Sequence, residues 1–398
     1  MKHLIIGNGV AGTTAASNIR KTDPAADIQI ITEEVYPFYS RIRLPELLSG
    51  KTDESGLVIR KPEWYENNRI QLSLGMKATA VDPARKEVTA SNGAVFSYDR
   101  LLLATGACCF VPPIPGTDKK GVFTLRGLDD ARAIKSYAEN EGRNVLLIGG
   151  GVLGLEAGHG LLKAGCAVTV VEVFPRLLPK QMDGEGSLIL QKRMESLGFT
   201  FHLDSRIREI TGRDKAEGLL LEDGTLISCG MIIISAGIRF NLDLPAKLGM
   251  TIDRGLVVND RMETGLPAIY AAGDLIQHNG LCYGIWPAAE KQGEVAGTNM
   301  AGGNAEYHGT IMSNSLTVAG TDIFSAGNID VEGKKEAIIS RDHDALVYRK
   351  LVADNNVIVG AILLGDARDR RRIMKAMESK TDIGSIRKQL QTWDLSPL

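Results

Sequence analysis

At 398 residues the chain is too long for one ordinary core, and at about 100–200 residues per domain it predicts two or three domains. With 44% hydrophobic and 24% charged residues it has the composition of an ordinary globular protein, and a formal net charge of -2 excludes a global electrostatic reason to bind nucleic acid. Glycine is enriched, at 44 residues, which suits a fold rich in tight phosphate-cradling turns.

The chain opens with a short apolar strand, Leu4 to Ile6, then GNGVAG, a helical stretch to about Arg20, and a second strand, DIQIIT, running to Glu33. This is a βαβ unit. Glu87 to Phe96 reads as a hairpin around Asn92-Gly93, and YDRLLLATG as a buried strand feeding the Pro-rich segment VPPIPG. The opening grammar returns as NVLLI, GGGVLG, a helix through Lys163, and AVTVV ending in Glu172. Two such units in one chain predict two nucleotide sites. MIIISAG at 231–237 then leaves the second unit, PAIYAAGD at 267–274 re-enters a strand, and a strand-rich segment with a final basic helix follows His308.

Each glycine of GNGVAG has a task. Gly7 permits the turn, Gly9 lets backbone approach a pyrophosphate, and Gly12 allows close helix–strand contact, while Val10 and Ala11 open a helix whose N-terminus carries partial positive charge. A carboxylate at the end of the next strand, Glu33 or its neighbour Glu34, then accepts hydrogen bonds from a ribose. Gly149, Gly151 and Gly154, with Val152 and Leu153 at the helix start, repeat the pattern, and Glu172 takes the ribose position. A carboxylate there favours NAD and repels a 2′-phosphate, although Arg176 lies only a few residues on. Glu156, expected on the first turn of that helix, either holds a nicotinamide carboxamide or simply complements the helix dipole.

Five cysteines (Cys108, Cys109, Cys166, Cys229, Cys282) include no CxxC, so a secreted disulfide framework is not expected. No apolar stretch approaches the ~20 residues that span a bilayer, and the first residues hold no signal core, so a cytoplasmic location is expected. The histidines (His3, His159, His202, His278, His308, His343) lack partners at ligand spacing, and no metal site is expected.

The N-terminal GxGxxG, LLLATG at 101–106, the second GxGxxG at 149–154 and TGLPAIYAAGD at 264–274 together resemble the pyridine nucleotide-disulfide oxidoreductases, and IVGAILLGD resembles the C-terminal domain of NADH:rubredoxin reductases and the flavin half of assimilatory nitrite reductases. The resemblance implies an α/β fold: two Rossmann-like (glutathione-reductase-type) dinucleotide-binding domains and a C-terminal α+β domain. The implied boundaries are 1–110 and 237–306 for the two parts of an FAD-binding domain, 111–236 for an NAD-binding domain and 307–398 for a C-terminal interface domain.

It further implies FAD on Glu33, on the backbone of Ala78 and on Asp274 at the ribitol chain. Ala104, Thr105, Gly106, Gly237 and Gly273 are among the cofactor-binding residues, and Arg41 lies near the flavin pyrophosphate or is a solvated arginine. Trp286 and Pro287 would sit by the isoalloxazine, with plain core packing as the alternative for Trp286. The relay cysteines of disulfide-reducing members are missing: Tyr39, Ser40 and Arg41 occupy the position near 40, and Cys108-Cys109 is expected to be inert.

The resulting expectation is an oxidoreductase that takes hydride from NADH onto FAD and passes electrons to a small rubredoxin- or ferredoxin-like carrier. Its rivals are an NADH-entry subunit of a larger complex, an NADH oxidase, and a redox-sensing binding protein. Within DARDRRRIMKAMESK at 366–380, the cations Arg368, Arg371, Arg372 and Lys375 are predicted to share one helix face, which is either a docking surface for an acidic carrier or a solvated face.

Overall fold

The computed structural model describes every residue except Ala319 and His343; His343, one of the six histidines of the sequence, therefore lies outside the described residues. The chain folds into two compact units, residues 1–40, 55–108 and 238–310 in the first and residues 41–54, 109–237 and 311–398 in the second.

The first unit is built on a five-stranded parallel sheet in the order Ile269–Ala271, Arg100–Leu103, Lys2–Ile6, Asp27–Ile31, Ile70–Ser73. Its strands are continuous apolar runs because both faces are covered: Leu4, Ile5, Ile28, Ile30, Leu101, Leu102 and Leu103 are all fully buried. On one of these faces helix Val10–Thr22 crosses helix Trp286–Met300. The crossing is close because it is glycine-lined; a Cβ on Gly293 would stand 2.5 Å from the Ala11 carbonyl oxygen, and one on Gly297 would stand 2.4 Å from that of Ala15. The expected hairpin forms the turn between Glu87–Ala90 and Val95–Ser97 in a small antiparallel sheet completed by Ala78–Asp82.

The second unit repeats the plan with strands Phe199–His202, Ala167–Val171, Asn144–Ile148, Met231–Ile234 and Val122–Thr124, all parallel. It also holds a C-terminal antiparallel sheet in the order Ser313–Val318, Thr321–Gly327, Val357–Leu364, Val347–Asp354, Glu336–Asp342, with helix Arg370–Glu378 packed on it. A buried polar cluster fastens this sheet to helix Gly184–Ser196. The carboxylate of Asp183, the N-cap of that helix, accepts the Gly186 N–H at 3.0 Å, the Tyr348 hydroxyl at 2.7 Å and the Lys350 ammonium at 3.0 Å. Residues 41–54 join the same unit, where the Pro45 carbonyl oxygen lies so close to Gly160 that a Cβ there would meet it at 2.6 Å.

The basic C-terminal helix corrects one expectation. It begins at Arg370, behind Asp369 as N-cap, so Arg368 is not on it. The cause is Asp366, whose carboxylate accepts both the side chain and the backbone N–H of Arg368 and holds the chain in a turn before the helix starts. Arg370, Arg371, Arg372 and Lys375 remain exposed on the helix, with Ile373, Ala376 and Met377 turned inward. Among the described residues no helix is long and apolar enough to cross a membrane.

Candidate functional sites in the two units

In the first unit, strand Lys2–Ile6 runs into the glycine turn and out into helix Val10–Thr22. Gly7 takes φ +115, and a Cβ there would meet the Ala104 carbonyl oxygen at 2.2 Å. Gly12 is as tightly constrained, with the Gly7 carbonyl oxygen 2.0 Å from where its Cβ would be. Gly9 is different, because nothing stands within 4 Å of its absent Cβ. The space it leaves open adjoins a helix N-terminus that has neither a side-chain cap nor an acid in its first turn. Unsatisfied N–H groups beside vacant room are what a pyrophosphate requires. Beside them, the side-chain nitrogen of buried Asn8 has no hydrogen-bond partner among the described residues. These features fit FAD.

The surrounding residues close on the same end of the sheet. Ala104 donates its N–H to the Ile6 carbonyl at 2.9 Å, Thr105 receives the Asn241 amide at 2.7 Å, and Gly106 takes φ +66. Gly273, at φ +88, abuts the Ala11 methyl and donates to Gln292 at 2.9 Å, which places Asp274 next to the start of helix Val10–Thr22. Trp286 and Pro287 open the long helix, whose first turn also lacks an acid, and the Trp286 ring packs on Phe38 with centroids 5.8 Å apart. Ala78 begins the strand Ala78–Asp82. Glu33 is mostly exposed and paired with Lys77 at 3.2 Å, whereas Glu34 receives the Tyr39 hydroxyl at 2.8 Å. Arg41 falls at the start of the second unit, and its guanidinium donates to the Arg126 carbonyl at 2.9 Å.

In the second unit Gly149 takes φ +110, with the Ser235 carbonyl oxygen 2.4 Å from its would-be Cβ, and a Cβ on Gly154 would stand 2.7 Å from the Gly149 carbonyl oxygen. Gly151, like Gly9, has nothing within 4 Å. Val152 and Leu153 begin the helix, and Glu172 follows the next strand, buried, with its carboxylate accepting the N–H of Gly150 at 2.7 Å and of Phe174 at 2.9 Å. Gly237, at φ +103, closes strand Met231–Ile234 with open space where a side chain would be. Arg176, the residue that would favour a 2′-phosphate, is engaged with the Pro179 carbonyl at 3.2 Å.

Glu156 corrects a second expectation. The helix starts at Val152, so Glu156 is its fifth residue, one full turn in from Gly151. Burial, reinforced by the nearby Glu46 carboxylate, pushes its carboxyl up to about 7, so it holds a proton far more readily than an exposed glutamate.

None of the five cysteines forms a disulfide among the described residues. The thiols of Cys108 and Cys109 are engaged separately, with the Arg239 carbonyl at 3.6 Å and the Leu125 carbonyl at 3.7 Å. The residues that sequence reasoning missed are Asn8, masked because that position of the glycine pattern is read as a spacer, and Gly293 and Gly297, whose four-residue spacing was the available signal.

Two glycine-built turns, each at the carboxyl end of a parallel sheet, define a fold with two dinucleotide-binding cradles. The chain belongs to the pyridine nucleotide-disulphide oxidoreductase family, whose profile matches residues 1–293, and residues 313–381 match the rubredoxin NAD+ reductase C-terminal domain. It is 37% identical over 387 residues to a nitrite reductase [NAD(P)H] of Bacillus subtilis, covering 97% of this chain and 48% of that protein. It is 33% identical over 386 residues to the NADH-rubredoxin oxidoreductase of Clostridium acetobutylicum, covering 97% of this chain and 96% of that one. The crystal structure of NADH:rubredoxin oxidoreductase from that organism superposes with a TM-score of 0.81 at 31% identity, covering 97% of each chain. The chain spans about half the length of the first curated relatives it matches.

Proposed function

We propose that this protein oxidises NADH through bound FAD and delivers the electrons to a small carrier protein. The observation that carries the reading is the pair of cradles combined with the residues at Tyr39, Ser40 and Arg41, where no thiol stands to relay electrons to a disulfide. FAD supplies the capacity to accept a hydride and release single electrons. The chain's own part is to bind and orient. Gly7, Gly9 and Gly12 would admit the FAD pyrophosphate, with a ribose on Glu33 or Glu34 and the ribitol chain on Asp274; Gly149, Gly151 and Gly154 would admit that of NADH. Glu172 would hold the adenosine ribose of NADH. Glu156, its carboxyl pushed up to about 7 by burial, would offer a hydrogen-bond donor to a carbonyl oxygen in its protonated form. The likeness to NADH-rubredoxin oxidoreductase across nearly both full lengths, with the rubredoxin reductase C-terminal domain, favours a rubredoxin-like acceptor.

Anaerobic addition of NADH should bleach the flavin absorbance, and a rubredoxin or ferredoxin should restore it catalytically. Protein that binds FAD and oxidises NADH only with oxygen would make it an oxidase instead. A second reading, an NADH-entry portion of a larger reductase, is favoured by the match to half of a nitrite reductase. Other redox chains recovered with the tagged protein in stoichiometric amounts would select it.

A further inference from the structure

We infer that Asn8 is a positioning residue for FAD, its side-chain amide donating a hydrogen bond to a phosphate oxygen of the dinucleotide, with Tyr65 holding it in that orientation. The inference rests on the assignment of FAD to the first unit. It begins with the hydroxyl of Tyr65, a buried residue on the short helix Pro62–Asn67. The Phe38 backbone N–H donates to the Tyr65 oxygen at 3.2 Å, and the Tyr65 oxygen lies 2.9 Å from Oδ1 of Asn8.

That arrangement decides which way the Asn8 amide faces. A phenol oxygen that accepts from Phe38 has its own hydrogen left to donate, and the acceptor atom of asparagine is Oδ1 and not Nδ2. Burial keeps the Tyr65 hydroxyl above the usual tyrosine range, so that hydrogen stays in place. In this arrangement the amide places Oδ1 on the Tyr65 hydroxyl at 2.9 Å, with Nδ2 on its other side.

Nδ2 is then left without a partner among the described residues, although Asn8 is only 9% exposed. A buried amide that makes none of its two possible donations carries a desolvation cost that folding alone does not offset. Asn8 stands between Gly7 and Gly9, one residue before the open space at Gly9 and two before the uncapped helix N-terminus. An anionic oxygen seated there satisfies Nδ2 and the free backbone N–H groups together, and a donor to an anion is stronger than one to a neutral acceptor. Phe38 extends the chain of support, because its ring packs on Trp286 at the start of helix Trp286–Met300 of the same unit.

The test is the release of FAD from the purified holoprotein, followed by flavin fluorescence after dilution, with circular dichroism to confirm that each variant is folded. Asn8→Asp keeps an acceptor for Tyr65 but sets a negative oxygen where the donor stood, and FAD should leave about a hundredfold faster. Asn8→Ala should accelerate release about tenfold, and Tyr65→Phe severalfold through loss of orientation alone. Affinity for NADH, measured on the same variants, should stay within twofold. If Asn8→Asp and Asn8→Ala released FAD at the wild-type rate, the amide would be satisfied by water and the inference would fall. Equal acceleration by Asn8→Asp and Asn8→Ala would also overturn it, since the sign of the charge would not matter. Wild-type protein that held no flavin would overturn the functional reading itself, and the inference with it.

Discussion

Glu172 accepts the backbone N–H of Gly150 at 2.7 Å, so the carboxylate expected to choose between NADH and NADPH also shapes the glycine loop of its own site. Replacement by serine removes both roles. Loss of charged hydrogen bonds costs roughly 1.5–3 kcal/mol, so kcat/KM for NADH should fall about tenfold or more in Glu172→Ser. NADPH should lose less, because the repulsion between carboxylate and 2′-phosphate goes too. Steady-state kinetics with both cofactors measure this, and an unchanged ratio would remove Glu172 from the ribose site.

The cluster around Asp183 makes a prediction about order. Asp183→Ala deletes a helix cap, worth ~1 kcal/mol, and takes the paired carboxylate from the buried Lys350 ammonium, which keeps only the Asp330 carbonyl at 3.1 Å, so the total cost should be about 3 kcal/mol. Lys350→Met leaves Asp183 with Gly186 and Tyr348 as donors and should cost less. Tyr348→Phe should cost about 1 kcal/mol. Urea unfolding of the three variants gives the ranking, and Lys350→Met as damaging as Asp183→Ala would contradict it.

His3 governs acid stability. It is fully buried in strand Lys2–Ile6, neither ring nitrogen has a partner among the described residues, and burial lowers its pKa from 6.5 to about 4. The folded state therefore binds its proton only near pH 4, while the unfolded chain binds it already near 6.5, so stability falls as pH drops through that interval. At 1.36 kcal/mol per pH unit the loss is on the order of 3 kcal/mol, and His3→Leu should flatten it. Melting temperatures followed from neutral pH into that range check the slope.

Alkylation of accessible thiols should leave NADH-driven dye reduction largely intact, because the exposed Cys108 has no thiol partner and stands at no relay position. Abolished turnover in Cys108→Ser or Cys109→Ser with FAD still bound would show that the pair takes part.

Helix Arg370–Glu378 presents Arg371, Arg372 and Lys375 to solvent, with Arg368 exposed just before it, and these are the cations to test for carrier docking. Charge reversal at Arg371 and Arg372 should slow reduction of an acidic carrier at low ionic strength, and added salt should slow the wild type in the same way. Reduction of a small neutral dye should be indifferent to both. A carrier rate unmoved by salt and by the reversals would mark this helix as an ordinary solvated surface.

Much of the candidate site was legible because it is local. Gly7, Gly9 and Gly12, and again Gly149, Gly151 and Gly154, act on backbone a few residues away, and the strand before and the helix after them are written in the apolar period. Asn8 was not legible, because the residue that orients it, Tyr65, is 57 positions away. The basic helix was legible as a helix but not in its first residue, since the Asp366 turn competes locally with one more helical turn.

By itself, then, the sequence determined the two strand–glycine–helix cradles, the carboxylates that follow them and the missing relay thiol, all of which depend on residue type and short spacing. Only the tertiary structure decided that Tyr65 turns the Asn8 amide, that Gly293 and Gly297 bring one helix onto another, and that Asp183 meets Lys350 across 167 positions. The physical reason is that such pairings arise when separate elements bury their faces together, and a partner chosen by packing leaves no mark at either residue's own place in the chain.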